Sequence, residues 1–127
     1  MIPISLTLKG IYSYQGKEQF IDFTDLCKAG LFGIFGSVGS GKSTILEAIS
    51  FALYGETERL NKRDNRGYNM LNLKSNQLLI DFIFENTSTK KYRFIVKGRR
   101  NSKRFDWVST ETKTKLSFNS LFFHKIN

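Results

Sequence analysis

The segment Gly36-Ser37-Val38-Gly39-Ser40-Gly41-Lys42-Ser43-Thr44 follows the apolar run Leu31-Phe32-Gly33-Ile34-Phe35 and precedes ILEAISFALYG. An apolar run, a glycine-rich turn of the form GxxxxGK[ST] and an apolar helical pattern in immediate succession predict one strand, loop and helix unit. Three glycines in six residues let the backbone adopt positive φ and close tightly. Successive N–H groups from Gly39 to Thr44 then face a common centre, which makes the loop a cradle for phosphate oxygens. A helix starting near Gly41 adds its N-terminal partial positive charge. In such a cradle Lys42 bridges the β- and γ-phosphates, Ser43 offers a hydroxyl ligand to Mg²⁺, and Thr44 reaches the α-phosphate.

At 127 residues with 40% hydrophobic content, the chain is long enough for one modest core and too short for a multi-domain enzyme. No apolar run approaches membrane-spanning length and no leader-like segment opens the chain, so the expectation is a cytoplasmic protein without membrane attachment. Cys27 has no second cysteine with which to form a disulfide or a zinc site, and it reads as an inert, partly buried thiol. His124, the single histidine, has no acidic or cysteine neighbour and is not expected to act as ligand or catalyst.

The formal net charge of +9 is unevenly placed. Residues 1–89 carry nine Lys/Arg and nine Asp/Glu, whereas residues 90–127 carry eleven and two. Lys97, Arg99, Arg100, Lys103 and Arg104 lie in the densest part, interleaved with aromatic residues, a pattern suited to the phosphate backbone of DNA. A solvated hairpin whose charges divide between two faces fits the same residues.

Alternation predicts strands over Ile4–Lys9 and Gln19–Phe23, with a turn at 12–17 between them. The run Leu31–Phe35 lacks alternation and is expected to be a strand buried on both faces. Lys42–Tyr54 has apolar residues around most of its circumference and Gly55 after it, so a largely covered helix ending there is expected. Residues 56–76 read as a polar surface excursion anchored by Leu60, Met70, Leu71 and Leu73. Leu78–Phe84 and Tyr92–Val96 form a hairpin, and after a turn at Gly98–Lys103, Arg104–Val108 is a further antiparallel strand. Asp81 ends the apolar stretch Leu78-Leu79-Ile80, as a metal-binding aspartate would, but Phe82-Ile83-Phe84 continue the strand past it. An outward-facing acid is the expectation there.

Taken together, LKGIYSYQGKEQFIDF, GIFGSVGSGKSTILEAISFALYGE and NKRDNRGYNMLNLKSNQLLIDFIF resemble the N-terminal ATPase lobe of the SbcC family, SMC-like, ABC-type ATPases with a long coiled coil. The resemblance runs from about Ile4 to Trp107. It implies an α/β P-loop NTPase half-domain of the ABC/SMC-head type, with antiparallel strands beside a short parallel core. It also implies that residues 36–44 bind the triphosphate of ATP, that Ser43 meets Mg²⁺, and that Tyr12 and Ser13 lie near the nucleotide, Tyr12 standing where some relatives carry an arginine.

The family's partners are an SbcD-type nuclease subunit, DNA and a C-terminal ATPase lobe that complements this one, and two copies could also associate as a homodimer. Its Q-loop, signature motif and Walker B acids are not recognisable in this sequence, so the chain alone should not hydrolyse ATP appreciably. Residues 1–110 read as the lobe and 111–127 as an atypical or truncated tail. Beside the leading expectation, an ATP-binding lobe that gates a break-repair nuclease, stand a basic nucleic-acid-binding module and a remnant without turnover.

Overall fold

The computed structural model describes residues 1–55, 70–101, 104–114 and 122–123, from residue 101 onward as backbone only. Its elements are β1 (Ile2–Lys9), β2 (Gln19–Asp22), α1 (Thr24–Lys28), α2 (Lys42–Tyr54), β3 (Gln77–Glu85), β4 (Lys91–Asn101), β5 (Arg104–Thr114) and β6 (Phe122–Phe123). The strands form one sheet in the order β2-β1-β3-β4-β5-β6. Every neighbouring pair is antiparallel.

The period-2 pattern sorts side chains between two faces of this sheet. Leu6 and Leu8 of β1 lie opposite Phe82 and Ile80 of β3, and Phe82 and Ile80 lie opposite Phe94 and Val96 of β4. Leu6, Leu8, Ile80, Phe82 and Val96 are fully buried. They share one core with Ile45, Ala48, Phe51 and Ala52 of α2, so the helix covers this face of the sheet. Phe84 adds stacked rings, with Phe82 and Tyr92 at 5.4 Å and Phe94 at 5.6 Å. The opposite face carries Thr7, Lys9, Leu79, Asp81, Ile83, Arg93, Ile95, Lys97 and Arg99 by register.

Pro3 lacks a ladder N–H, yet it stands in β1 opposite Phe84 of β3, outside the stretch that pairs with β2. The register shifts between Pro3 and Ser5, and that irregularity accommodates it. The β3–β4 connection is built on Asn86, whose Oδ1 accepts from the backbone N–H groups of Ser88 and Lys90, each at 3.0 Å. β4 runs on to Asn101, which pairs with Arg104, so strand takes up residues 98–101 of the expected turn, and β5 extends past Val108 to Thr114.

Two expectations are corrected. Leu31–Phe35 is not a buried strand: Leu31 is 88% and Phe35 92% exposed, and no ladder includes them. The short parallel core expected beside the antiparallel strands is accordingly not formed among the described residues. A central strand needs a hydrogen-bonding neighbour on each side, and the described strands satisfy one another within one antiparallel sheet. Phe32 alone of this run turns inward, its ring 5.9 Å from that of Phe23.

Helix α2 has the expected bounds, and Gly55 ends it in a left-handed conformation with its N–H bonded to the Phe51 carbonyl at 2.8 Å. Its cover is one-sided: Thr44, Ile45, Ala48, Phe51 and Ala52 are buried, while Leu46 is 64% and Tyr54 69% exposed. Of the anchors expected in the 56–76 excursion, Met70 and Leu71 are buried through contacts with Ile11 and Tyr12, Leu73 is exposed, and Leu60 lies outside the described residues.

Candidate nucleotide-binding site

Residues 36–41 turn the chain from the exposed run into the first turn of α2. Gly41 is the N-cap, at φ 90° and ψ 9°, a conformation that glycine adopts without steric cost. It offers no side-chain cap, and the first turn of the helix contains no acid. Most helices begin with an Asp, Asn, Ser or Thr that satisfies their leading N–H groups. Among the described residues the amides of Lys42, Ser43 and Thr44 find no carbonyl acceptor and no capping oxygen, and no acid in the first turn offsets the partial positive charge of the helix start. That arrangement suits an anion.

Lys42 folds back over the loop. Its Nζ donates to the carbonyls of Gly36 and Ser37, both at 2.6 Å, and to Ser40 Oγ at 3.3 Å. One ammonium therefore ties the two ends of the loop together and holds positive charge inside the turn. Ser40 donates its N–H to the Ser37 carbonyl at 3.2 Å, so that amide closes the turn and does not join the others that face outward. Gly36 approaches Ser40 so closely that a Cβ on it would fall 2.7 Å from Ser40 Oγ. Val38 is fully exposed at the tip, Ser43 is exposed at the mouth and Thr44 is buried at 6% exposure.

The β1–β2 turn comes up beside the loop. Ser13 and Tyr14 meet it directly, with Tyr14 Oη donating to the Gly41 carbonyl at 3.4 Å. Tyr12, at φ 46°, is held by its N–H bond to the Met70 carbonyl at 2.8 Å and by Asn72 Nδ2, which donates to the Tyr12 carbonyl. Its side chain lines a groove with Gln15, Leu71, Asn72, Lys74 and Arg100. Of the two residues expected near a nucleotide, Ser13 touches the loop, and Tyr14 is the neighbour that sequence reasoning missed; only its place two residues after Tyr12 pointed to it.

Asp81 is on the face of the sheet remote from α2, and its carboxylate accepts from Arg93 Nε at 2.9 Å and Nη2 at 2.5 Å. It takes the face away from the core, as expected, and is ion-paired there, across the sheet from the loop. The basic residues divide. Lys97 and Arg99 share that same face and border a cavity of about 280 Å³ with Lys9, Glu18 and Gln77. Arg100 belongs to the other face, where Nη1 donates to the Leu73 carbonyl at 3.3 Å. Lys103 lies outside the described residues, and Arg104 opens β5 opposite Asn101.

A family model described as an AAA domain matches residues 5–126, nearly the whole chain. The chain belongs to that family. It is 41% identical over 112 residues to the SbcC subunit of the SbcCD nuclease from Bacillus subtilis, a stretch that covers 88% of this chain and 9% of that protein. Against the SbcC subunit from Clostridium acetobutylicum it is 41% identical over 105 residues, covering 81% of this chain and 8% of the relative. A probable DNA double-strand break repair Rad50 ATPase of Aquifex aeolicus is 46% identical over 59 residues, which cover 46% of this chain and 6% of that protein. Within the AAA domain family the sequence is that of an SbcC-type N-terminal ATPase lobe. The chain spans less than a tenth of the length of these relatives.

Proposed function

We propose that Gly36, Ser37, Val38, Gly39, Ser40, Gly41, Lys42, Ser43 and Thr44 hold the triphosphate of ATP, with Ser43 facing its Mg²⁺. The observation that carries this reading is the uncapped, acid-free start of α2 with the Lys42 ammonium folded into the loop before it. The residues suit the ligand: the leading amides of α2 are uncapped, the Lys42 ammonium lies in the loop before them, and Ser43 is exposed. Backbone N–H groups at the helix start would orient the phosphates, and Lys42 would exchange loop carbonyls for phosphate oxygens, each charge-assisted bond contributing roughly 1.5–3 kcal/mol. Mg²⁺, when bound, neutralises charge on the phosphate oxygens.

The wider role we propose is that of the N-terminal half of an SbcC-type ATPase head acting on DNA with an SbcD-type nuclease subunit. In that arrangement a C-terminal lobe supplies neighbours to the exposed run Leu31–Phe35 and the acids that position the attacking water. Asp81 does not serve that purpose, since Arg93 holds it on the far face of the sheet. Lys97 and Arg99, which border one cavity with Lys9, would meet a DNA backbone in this reading; Arg100 belongs to the other face.

A steady-state phosphate-release assay on the purified chain tests the half-head reading. Turnover indistinguishable from buffer is expected, whereas sustained ATP hydrolysis by the chain alone would contradict it.

A further inference from the structure

The two flanks of the loop are held very differently. On the upstream side, Leu31, Phe35 and Val38 are 88%, 92% and 103% exposed, and no strand takes up their backbone. On the downstream side, Gly41 is enclosed: a Cβ there would fall 2.7 Å from Tyr14 Cε2, 3.0 Å from Tyr14 Oη and 3.1 Å from Ser13 Oγ. The tyrosine is itself anchored. Its N–H donates to the Ile11 carbonyl at 2.8 Å, Ile11 is completely buried, and Ile11 bridges to Leu71, which is buried too.

From this contrast we infer that Tyr14 is a positioning residue for the phosphate loop, a fixed post against which Gly41 is seated so that the amides of Lys42, Ser43 and Thr44 keep a common direction. The inference rests on the reading of residues 36–44 as a phosphate cradle. The ring is the main element of the post, because at 3.4 Å the hydroxyl bond to the Gly41 carbonyl is long. Burial pushes the Tyr14 phenol above its usual value, so the hydroxyl stays protonated and remains a donor at neutral pH. The contact also gives Gly41 a second reason to be glycine, since any side chain would collide with the ring as well as strain the backbone.

Amide hydrogen exchange on the full chain without ligand tests the post independently of nucleotide binding. Tyr14→Ala should speed exchange at Ile45 and Leu46, the first amides bonded within α2, about tenfold, while Tyr14→Phe, which keeps the ring, stays within about threefold of wild type and Phe82 in β3 is unchanged. Should the alanine variant loosen the sheet as well, Tyr14→Leu, which leaves apolar cover on the turn but no ring over Gly41, must show the local effect. Unchanged exchange at Ile45 and Leu46 in the variants that lack the ring would overturn the assignment, and so would equal acceleration in Tyr14→Phe.

A second arm adds Mg²⁺ and inorganic tripolyphosphate to the wild-type chain. Protection of the Lys42 to Thr44 amides, which have no acceptor without ligand, supports the cradle on which the inference rests, and tripolyphosphate should then bind more weakly to Tyr14→Ala by about tenfold. Absence of protection would overturn the cradle reading while leaving the ligand-free exchange result to decide the contact itself. Loss of ATP affinity in Tyr14→Ala with tripolyphosphate affinity unchanged would contradict a post and indicate a contact with the base.

Discussion

Asp81 and Lys42 both carry charge within patterns associated with nucleotide chemistry, and their surroundings separate them. Asp81 is fixed by strand register: its neighbours Ile80 and Phe82 occupy the core, so its own side chain must take the opposite face, where Arg93 meets it. Asp81→Asn should leave the affinity for Mg²⁺-ATP unchanged and lower stability by about 1 kcal/mol in urea unfolding, the scale of a partly exposed bidentate pair. Asp22 has a different duty. Its Oδ1 accepts from Thr24 N–H at 2.9 Å and Oγ1 at 2.5 Å, and the Thr24 side-chain bond, followed by the backbone bond, holds its carboxyl below the ordinary carboxylate range.

A carboxyl with a depressed folded-state pKa contributes stability above its unfolded pKa and loses it as pH falls through the folded one. Carbon-detected titration should therefore give Asp22 a midpoint below 3.8, with the start of α1 loosening only under acid conditions, and Asp22→Asn should remove that acid sensitivity. At this scale Asp81 was legible because alternation alone assigns a face. Tyr14 was not, because nothing in a linear turn sequence tells which distant loop it will touch.

Among the elements, α2 and the β3–β4 hairpin carry the fold, and their sequences state their periods openly. Phe82 is fully buried between β1, β4 and the helix, so Phe82→Ala should cost about 3–5 kcal/mol, enough to unfold a domain of ordinary marginal stability as read by circular dichroism. Leu31→Ser and Phe35→Ser should each change stability by less than about 0.5 kcal/mol in the same assay, because neither side chain is buried. A large loss in either would mean that the run is part of the core after all. The hydrophobic content of 31–35 was read as burial, and within one lobe it is not. Apolar runs report that a segment is meant to be covered; they do not say whether the covering residues belong to the same stretch of chain. Composition has the same limit for α2: apolar residues surround it, yet Leu46 is exposed.

At the scale of the whole molecule, the described basic residues between 90 and 100 divide between the two faces of the sheet. Lys97 and Arg99 share a face with Lys9, while Arg100 is on the other, a division that composition cannot reveal and β register decides. If the Lys97 and Arg99 face meets DNA, Lys97→Ala with Arg99→Ala should lower the salt slope of binding by about 2, and Arg100→Ala should leave it nearly unchanged. The fold class was partly legible: the antiparallel strands and the helix were, whereas the parallel core requires strands that the described residues do not provide. Glycine spacing located the loop, and the geometry adds what spacing cannot, a helix start with neither cap nor acid.

The central claim is that this start binds a triphosphate. Its most direct test is titration calorimetry of Mg²⁺-ATP into the purified chain, with Lys42→Ala alongside. Saturable binding that weakens about 10- to 100-fold in the variant is the predicted result; a folded wild-type chain that takes up no nucleotide, or a variant that binds as well as wild type, would contradict it.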